Sequence, residues 1–101
     1  MRLTIQVANR IQKTKNILVV ATEDPLEAMR VAAGLTIFGH EVTFLFSLSV
    51  EVSEAFQNAA ELVELAEVDK IYSLEPFEEC EVADARRVEN LWRESDLALA
   101  I

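Results

Sequence analysis

Cys80 carries the only thiol in the chain and is the residue whose chemistry first asks for an explanation. It stands in Pro76-Phe77-Glu78-Glu79-Cys80-Glu81, just past the apolar stretch Lys70-Ile71-Tyr72-Ser73-Leu74. A helix opened by Pro76 and running to about Arg93 would put the thiol in its first turns, where backbone N–H groups favour a thiolate. Glu75, Glu78, Glu79 and Glu81 act the other way, because neighbouring negative charge raises a thiol's pKa. On that helix Phe77, Cys80, Val88 and Leu91 would share one face, which is also the pattern of a small side chain buried in a core.

The remaining polar candidates read as structural. His40, the only histidine, lies in Gly39-His40-Glu41-Val42, a tight helix-to-strand turn. Such a turn sits at the amino ends of the strands, the opposite end from α/β binding sites. Glu23 and Asp24 resemble the acidic pair of a phosphoreceiver domain. The third strand, however, ends in Ser73-Leu74-Glu75 rather than an aspartate, and no lysine follows the fourth strand, so Asp24 reads as a helix cap. The first loop has no glycine to cradle a pyrophosphate, and its two acids would repel one, which excludes a dinucleotide site. No Walker motif, zinc-like Cys/His spacing or Ser/His/Asp set is present, so no metal and no organic cofactor is expected.

The elements that must position Cys80 follow from apolar patterning. Asn16-Ile17-Leu18-Val19-Val20-Ala21-Thr22 and Val42-Thr43-Phe44-Leu45-Phe46-Ser47 are continuous apolar runs, as in strands covered on both faces. Lys70–Leu74 and Leu97–Ile101 complete four strands. Between the first two, Asp24 as N-cap, Pro25 at the first helical position and Glu27 in a capping box start a helix. It runs to about Phe38 and ends at Gly39. Val52, Ala55, Phe56, Ala59, Val63 and Ala66 recur at helical spacing as one face of a second helix. Strand–helix alternation with short turns predicts a single-domain, three-layer α/β fold. Its sheet is mostly parallel, with four or five strands and helices on both faces.

The helix after Pro25 has two apolar faces. Leu26, Met29, Ala33 and Ile37 make one, and Val31, Leu35 and Phe38 make another roughly opposite. One face covers the sheet. Val31, Leu35 and Phe38 are then expected to be buried between subunits of a homo-oligomer.

Composition narrows the function. The chain has 101 residues, 51% hydrophobic and 27% charged, which suits one domain and excludes disorder. A single cysteine allows no intrachain disulfide. The net charge is −9, and its distribution is uneven: residues 1–22 carry +4 and no acid, and the rest carry −13. The acidic body would repel phosphates, so nucleic acid is not expected as a partner. No run approaches the roughly 18 apolar residues of a membrane span. The start, Met1-Arg2-Leu3-Thr4-Ile5-Gln6, is not a secretory signal. A cytoplasmic location is expected. Residues 1–15 read as a basic leader or an edge strand: Leu3, Ile5 and Val7 alternate as in a strand, while Leu3, Val7 and Ile11 also fit one helical face. The β-branched Thr4, Ile5 and Val7 favour the strand.

The run Ala21-Thr22-Glu23-Asp24-Pro25, the alanine-rich helix after it, and Gly39-His40-Glu41-Val42-Thr43-Phe44-Leu45-Phe46 resemble the DsrE/DsrF/DsrH-like (Tus-type) sulfur-relay family. The resemblance extends loosely through Lys70–Leu74 and Cys80 to Arg87, so residues 16–101 read as a DsrE-like domain. It implies a compact α/β sheet, assembly into dimers, trimers or hexamers, and sulfur handling. In catalytic members a cysteine near the start of a late helix, followed by an Ala-rich, Arg-containing stretch, carries a persulfide; Cys80 with Ala83, Ala85, Arg86 and Arg87 is similar. After the second strand this chain has Ser47-Leu48-Ser49-Val50, where the family usually has a turn bearing glycine and aspartate. The resemblance therefore implies one of two roles. The first is a sulfur carrier exchanging a Cys80 persulfide with a donor or acceptor protein. The second is a non-catalytic oligomeric interaction subunit.

Overall fold

The computed structural model describes residues 14–101. The leader-or-edge-strand expectation for the N-terminus therefore falls mainly outside the described residues. The elements are β1 (Asn16–Ala21), α1 (Pro25–Ile37), β2 (Glu41–Phe46), α2 (Glu54–Leu65), β3 (Lys70–Ser73), β4 (Glu81–Val82), α3 (Ala85–Glu94) and β5 (Leu97–Ala100). The five strands form one all-parallel sheet in the order β4-β3-β2-β1-β5.

The expected fold class holds, and the sequence explains why. Strands β1 and β2 are apolar on both sides because both sides are covered. Ile17, Val19, Ala21, Val42, Phe44 and Phe46 face α1 and α2, which contribute Ala28, Met29, Ala32, Phe56, Ala59 and Val63. Leu18 and Leu45 point to the other side and pack with Leu91 and Val88 of α3. Period-2 alternation along each strand thus feeds two separate cores.

The start and stop of α1 are as expected. The Asp24 side chain accepts the Glu27 N–H at 3.1 Å, Pro25 occupies the first turn, and Gly39 follows with φ +98°, a left-handed conformation that glycine adopts without strain. His40 is a turn residue: its Nδ1 accepts the Lys15 N–H at 3.3 Å, beside the amino end of β1.

Three expectations are corrected. No helix begins at Pro76. Residues 77–80 form a turn in which the Cys80 N–H donates to the Phe77 carbonyl at 3.1 Å and Glu78 adopts φ 49°. Glu81 and Val82 then pair with Tyr72 and Ser73 as β4. The helix starts only at Ala85, capped by Asp84, whose carboxylate accepts the Arg87 N–H at 2.8 Å. Second, Phe77 and Cys80 do not share a face with Val88 and Leu91: the first pair packs on the α1/α2 core and the second on the α3 core, with the sheet between them. Third, the two faces of α1 divide differently. Ala28, Met29, Ala32 and Ala33 are buried and Leu35 packs partly against the core, whereas Ile37 is 71% exposed.

Candidate functional site

The strand order reverses between β1 and β5, the usual binding crevice of an open α/β sheet. Here it is filled. The Ile101 carbonyl accepts the N–H groups of Thr22, Glu23 and Asp24 at 2.7, 3.0 and 3.3 Å. The donors that would otherwise meet a phosphate at the start of α1 are engaged by the chain itself. The absence of a glycine cradle in this loop agrees with that arrangement.

The open site lies elsewhere, on the α1/α2 side of the sheet beside β3. A groove of about 530 Å³ runs between α2, β3 and the turn that follows β3. Its floor and walls are apolar and rich in phenylalanine: Phe44 and Phe46 from β2, Phe56 from α2 and Phe77 from the turn. The rings support one another edge to face, with centroids 4.8 Å apart for Phe44 and Phe46, 5.1 Å for Phe46 and Phe77, and 5.6 Å for Phe56 and Phe77. Four carboxylates rim it. Glu64 near the end of α2 and Asp69 just before β3 stand at the amino end of β3, and Glu78 and Glu79 lie in the turn that leads into β4. Alternation within β2 puts Phe44 and Phe46 on one face, but the meeting with Phe56 and Phe77 depends on how α2 and the turn cross the sheet. Sequence periodicity does not report that.

Cys80 lines this groove and is half-buried. It is five residues ahead of α3, so its sulfur does not lie in the first turns of that helix. Burial pushes the Cys80 thiol above the ordinary cysteine range, and the Glu78 carboxylate adds to the rise. Both effects disfavour thiolate. Arg87, which the family resemblance associates with the cysteine, is engaged on the α3 side: its guanidinium donates to Glu81 at 3.2 Å and lies 5.4 Å from the centre of the Tyr72 ring.

The raised thiol pKa has a measurable consequence. As pH climbs past about 8.5, a cysteine in the unfolded chain loses its proton first. Folded Cys80 keeps its proton longer, so the native state binds more protons in that window and stability falls as pH rises through it. The urea midpoint of the native protein should therefore drop more on going alkaline than that of Cys80→Ala. Parallel pH profiles for the two proteins would show that Cys80 is not perturbed.

The surface residues expected at a subunit contact have mixed fates. Phe38 is 61% exposed and Val31 is half-buried, whereas Leu35 is partly used by the core of its own chain. Among the described residues no three His, Cys, Asp or Glu side chains converge to hold a metal ion. No described helix is long and apolar enough to cross a membrane. No protein-family model, curated protein or solved structure matches the chain.

Proposed function

We propose that this chain is a non-catalytic interaction subunit of the DsrE-like kind, working in the cytoplasm by self-association. The observation that carries the reading is the end of α1, where Ile37 and Phe38, two large apolar side chains adjacent in sequence, are 71% and 61% exposed. Exposed apolar groups clustered on one element favour a protein contact. Homo-oligomeric assembly, which the family resemblance implies, supplies the partner: a second copy of this chain.

Phe38→Glu tests this without disturbing the core, since Phe38 is not part of it. A charge placed in a desolvated contact with no partner costs several kcal/mol, roughly 3–5. Sedimentation velocity should show native oligomers and a Phe38→Glu monomer with unchanged circular dichroism. A native protein that is already monomeric, or a variant that still assembles, sinks the reading.

A second reading has its own support, because Cys80 lines a groove and is partly reachable. As a sulfur carrier, its thiolate would attack the outer sulfur of a donor persulfide. The donor S–S bond breaks, the donor leaves as a thiol, and Cys80 holds the transferred sulfur as a new persulfide. Polysulfide treatment followed by intact-mass measurement decides it. Added sulfur on the native protein but not on Cys80→Ser supports the carrier, and no added sulfur rejects it.

A further inference from the structure

We propose that the groove beside β3 binds a small amphiphilic amine, seated with its apolar end among the phenylalanines and its ammonium among the carboxylates. The groove volume of about 530 Å³ suits one small molecule, since such sites run about 300–1,000 Å³. The groove is polarised along its length, and strand register defines the two ends. Phe46 stands opposite Ser73, the last residue of β3, and Phe56 lies in the first turn of α2, which starts at the same end of the sheet. The Phe77 ring meets both, with centroids 5.1 and 5.6 Å away. The carboxyl end of β3 is therefore the aromatic end. The acids gather at the other. Asp69 immediately precedes β3, and Glu64 is in the last turn of α2. Strand β4 runs parallel to β3 with Glu81 beside Tyr72, so the turn enters β4 from the amino side and puts Glu79 toward that same end.

Charge complementarity selects the occupant. None of Glu64, Asp69, Glu78 and Glu79 forms an ion pair among the described residues. Lys70, the one basic residue of β3, alternates away from Ile71 and reaches Glu41 at 3.9 Å on the α3 side of the sheet. The complementary cation must therefore come from a ligand. The apolar body of such a ligand displaces water from the phenylalanine end. Its ammonium meets the carboxylates at the rim, where water still reaches it, so no charge is buried without a partner. From Lys70 to Ser73 is three steps of about 3.3 Å, so the ligand must span about 10 Å. An extended phenylbutylamine has about that length. A second copy of this chain fits poorly, because each copy carries −9 against an acidic rim. The site is independent of self-association through Phe38, which does not line the groove.

Calorimetric titration of the full chain with phenylbutylamine tests the proposal, and one saturable site per chain is expected. Phenylbutyrate has the same body with the opposite charge, and butylamine lacks the ring. Each should bind the native chain at least about tenfold more weakly. Equal binding of either, or no saturation by phenylbutylamine, overturns the proposal. Changing Glu64→Gln, Asp69→Asn and Glu79→Gln together should weaken phenylbutylamine about tenfold with circular dichroism unchanged, because all three side chains are exposed. Undiminished affinity overturns the proposal, and if that variant does not fold the ligand series on the native chain decides alone. Cys80 lines the groove and reports where the probe sits. Saturating phenylbutylamine should slow its reaction with a neutral maleimide, and an unchanged rate places the probe elsewhere and overturns the site. Phe38→Glu should bind the amine as the native chain does, so a failure of self-association leaves this test standing. Binding that splits a native oligomer in sedimentation means that a second copy occupies the groove, which also overturns the proposal.

Discussion

Phe44→Ala should destabilise the protein by about 3–5 kcal/mol, the usual cost of deleting a buried aromatic side chain. Phe44 is 1% exposed and holds the centre of the larger core. Its ring packs edge-on against Phe46, which in turn meets Phe77 and Phe56, so the loss propagates into the groove wall. A single domain of this size has only about 5–15 kcal/mol in total. At about 4–8 °C per kcal/mol, the thermal midpoint should fall on the order of 15 °C or more. Thermal unfolding followed by circular dichroism reads the effect. A shift of only a degree or two would mean that Phe44 is not part of the core.

Ala32→Leu should cost about 1–3 kcal/mol for the opposite reason, overpacking. Helix α1 lies close to the sheet because the residues it presents are small: Ala28, Ala32 and Ala33 are all buried, and Ala32 is completely so. A leucine there must push the helix away from the sheet or force strained rotamers. Gly34→Ala is the control on the same helix. A methyl at Gly34 meets no atom within 4 Å, so alanine should stabilise by about 0.5–1 kcal/mol through helix propensity alone. Urea midpoints moving in opposite directions for the two variants are the expected result. Equal losses would show that α1 does not rest on its alanines.

The part of the fold built from long, locally signalled elements was legible in the sequence. Strands β1 and β2 announce themselves by unbroken apolar runs, and α1 by Asp24, Pro25 and Gly39, because cap chemistry and burial on both faces leave their mark on consecutive residues. The segment from Pro76 to Asp84 was not legible. Pro76 and Asp84 are both good helix starters, and the choice between them is made by the pairing of Glu81 and Val82 with β3. A two-residue strand has no period to read. The site is affected too: the sequence pattern puts Cys80 on a helix, whereas the turn around Glu78 sets it in a groove wall with Phe77 of the same turn and phenylalanines from two other segments, β2 and α2. The fifth strand among the described residues is β4, which no sequence pattern flags, and the edge-strand reading of residues 1–15 lies mainly outside the described residues.

Strand β1 is paired on both sides, and its two partners lie at very different distances along the chain. Ile17 sits opposite Val42 on one side and Leu97 on the other. The Asn16 N–H donates to the Asp96 carboxylate across a separation of 80 residues, and the Asp96 N–H returns a bond to the Asn16 carbonyl. During synthesis the β1–β2 pair can therefore form early, while the other edge of β1 stays open until residues 97–100 have emerged. For that interval it presents unpaired N–H and C=O groups beside uncovered Leu18 and Val20, the combination that recruits stray strands. Closing a contact of such span is slow compared with closing a local turn. Until Leu97–Ala100 pairs with it, the free edge of β1 stays open to such recruitment.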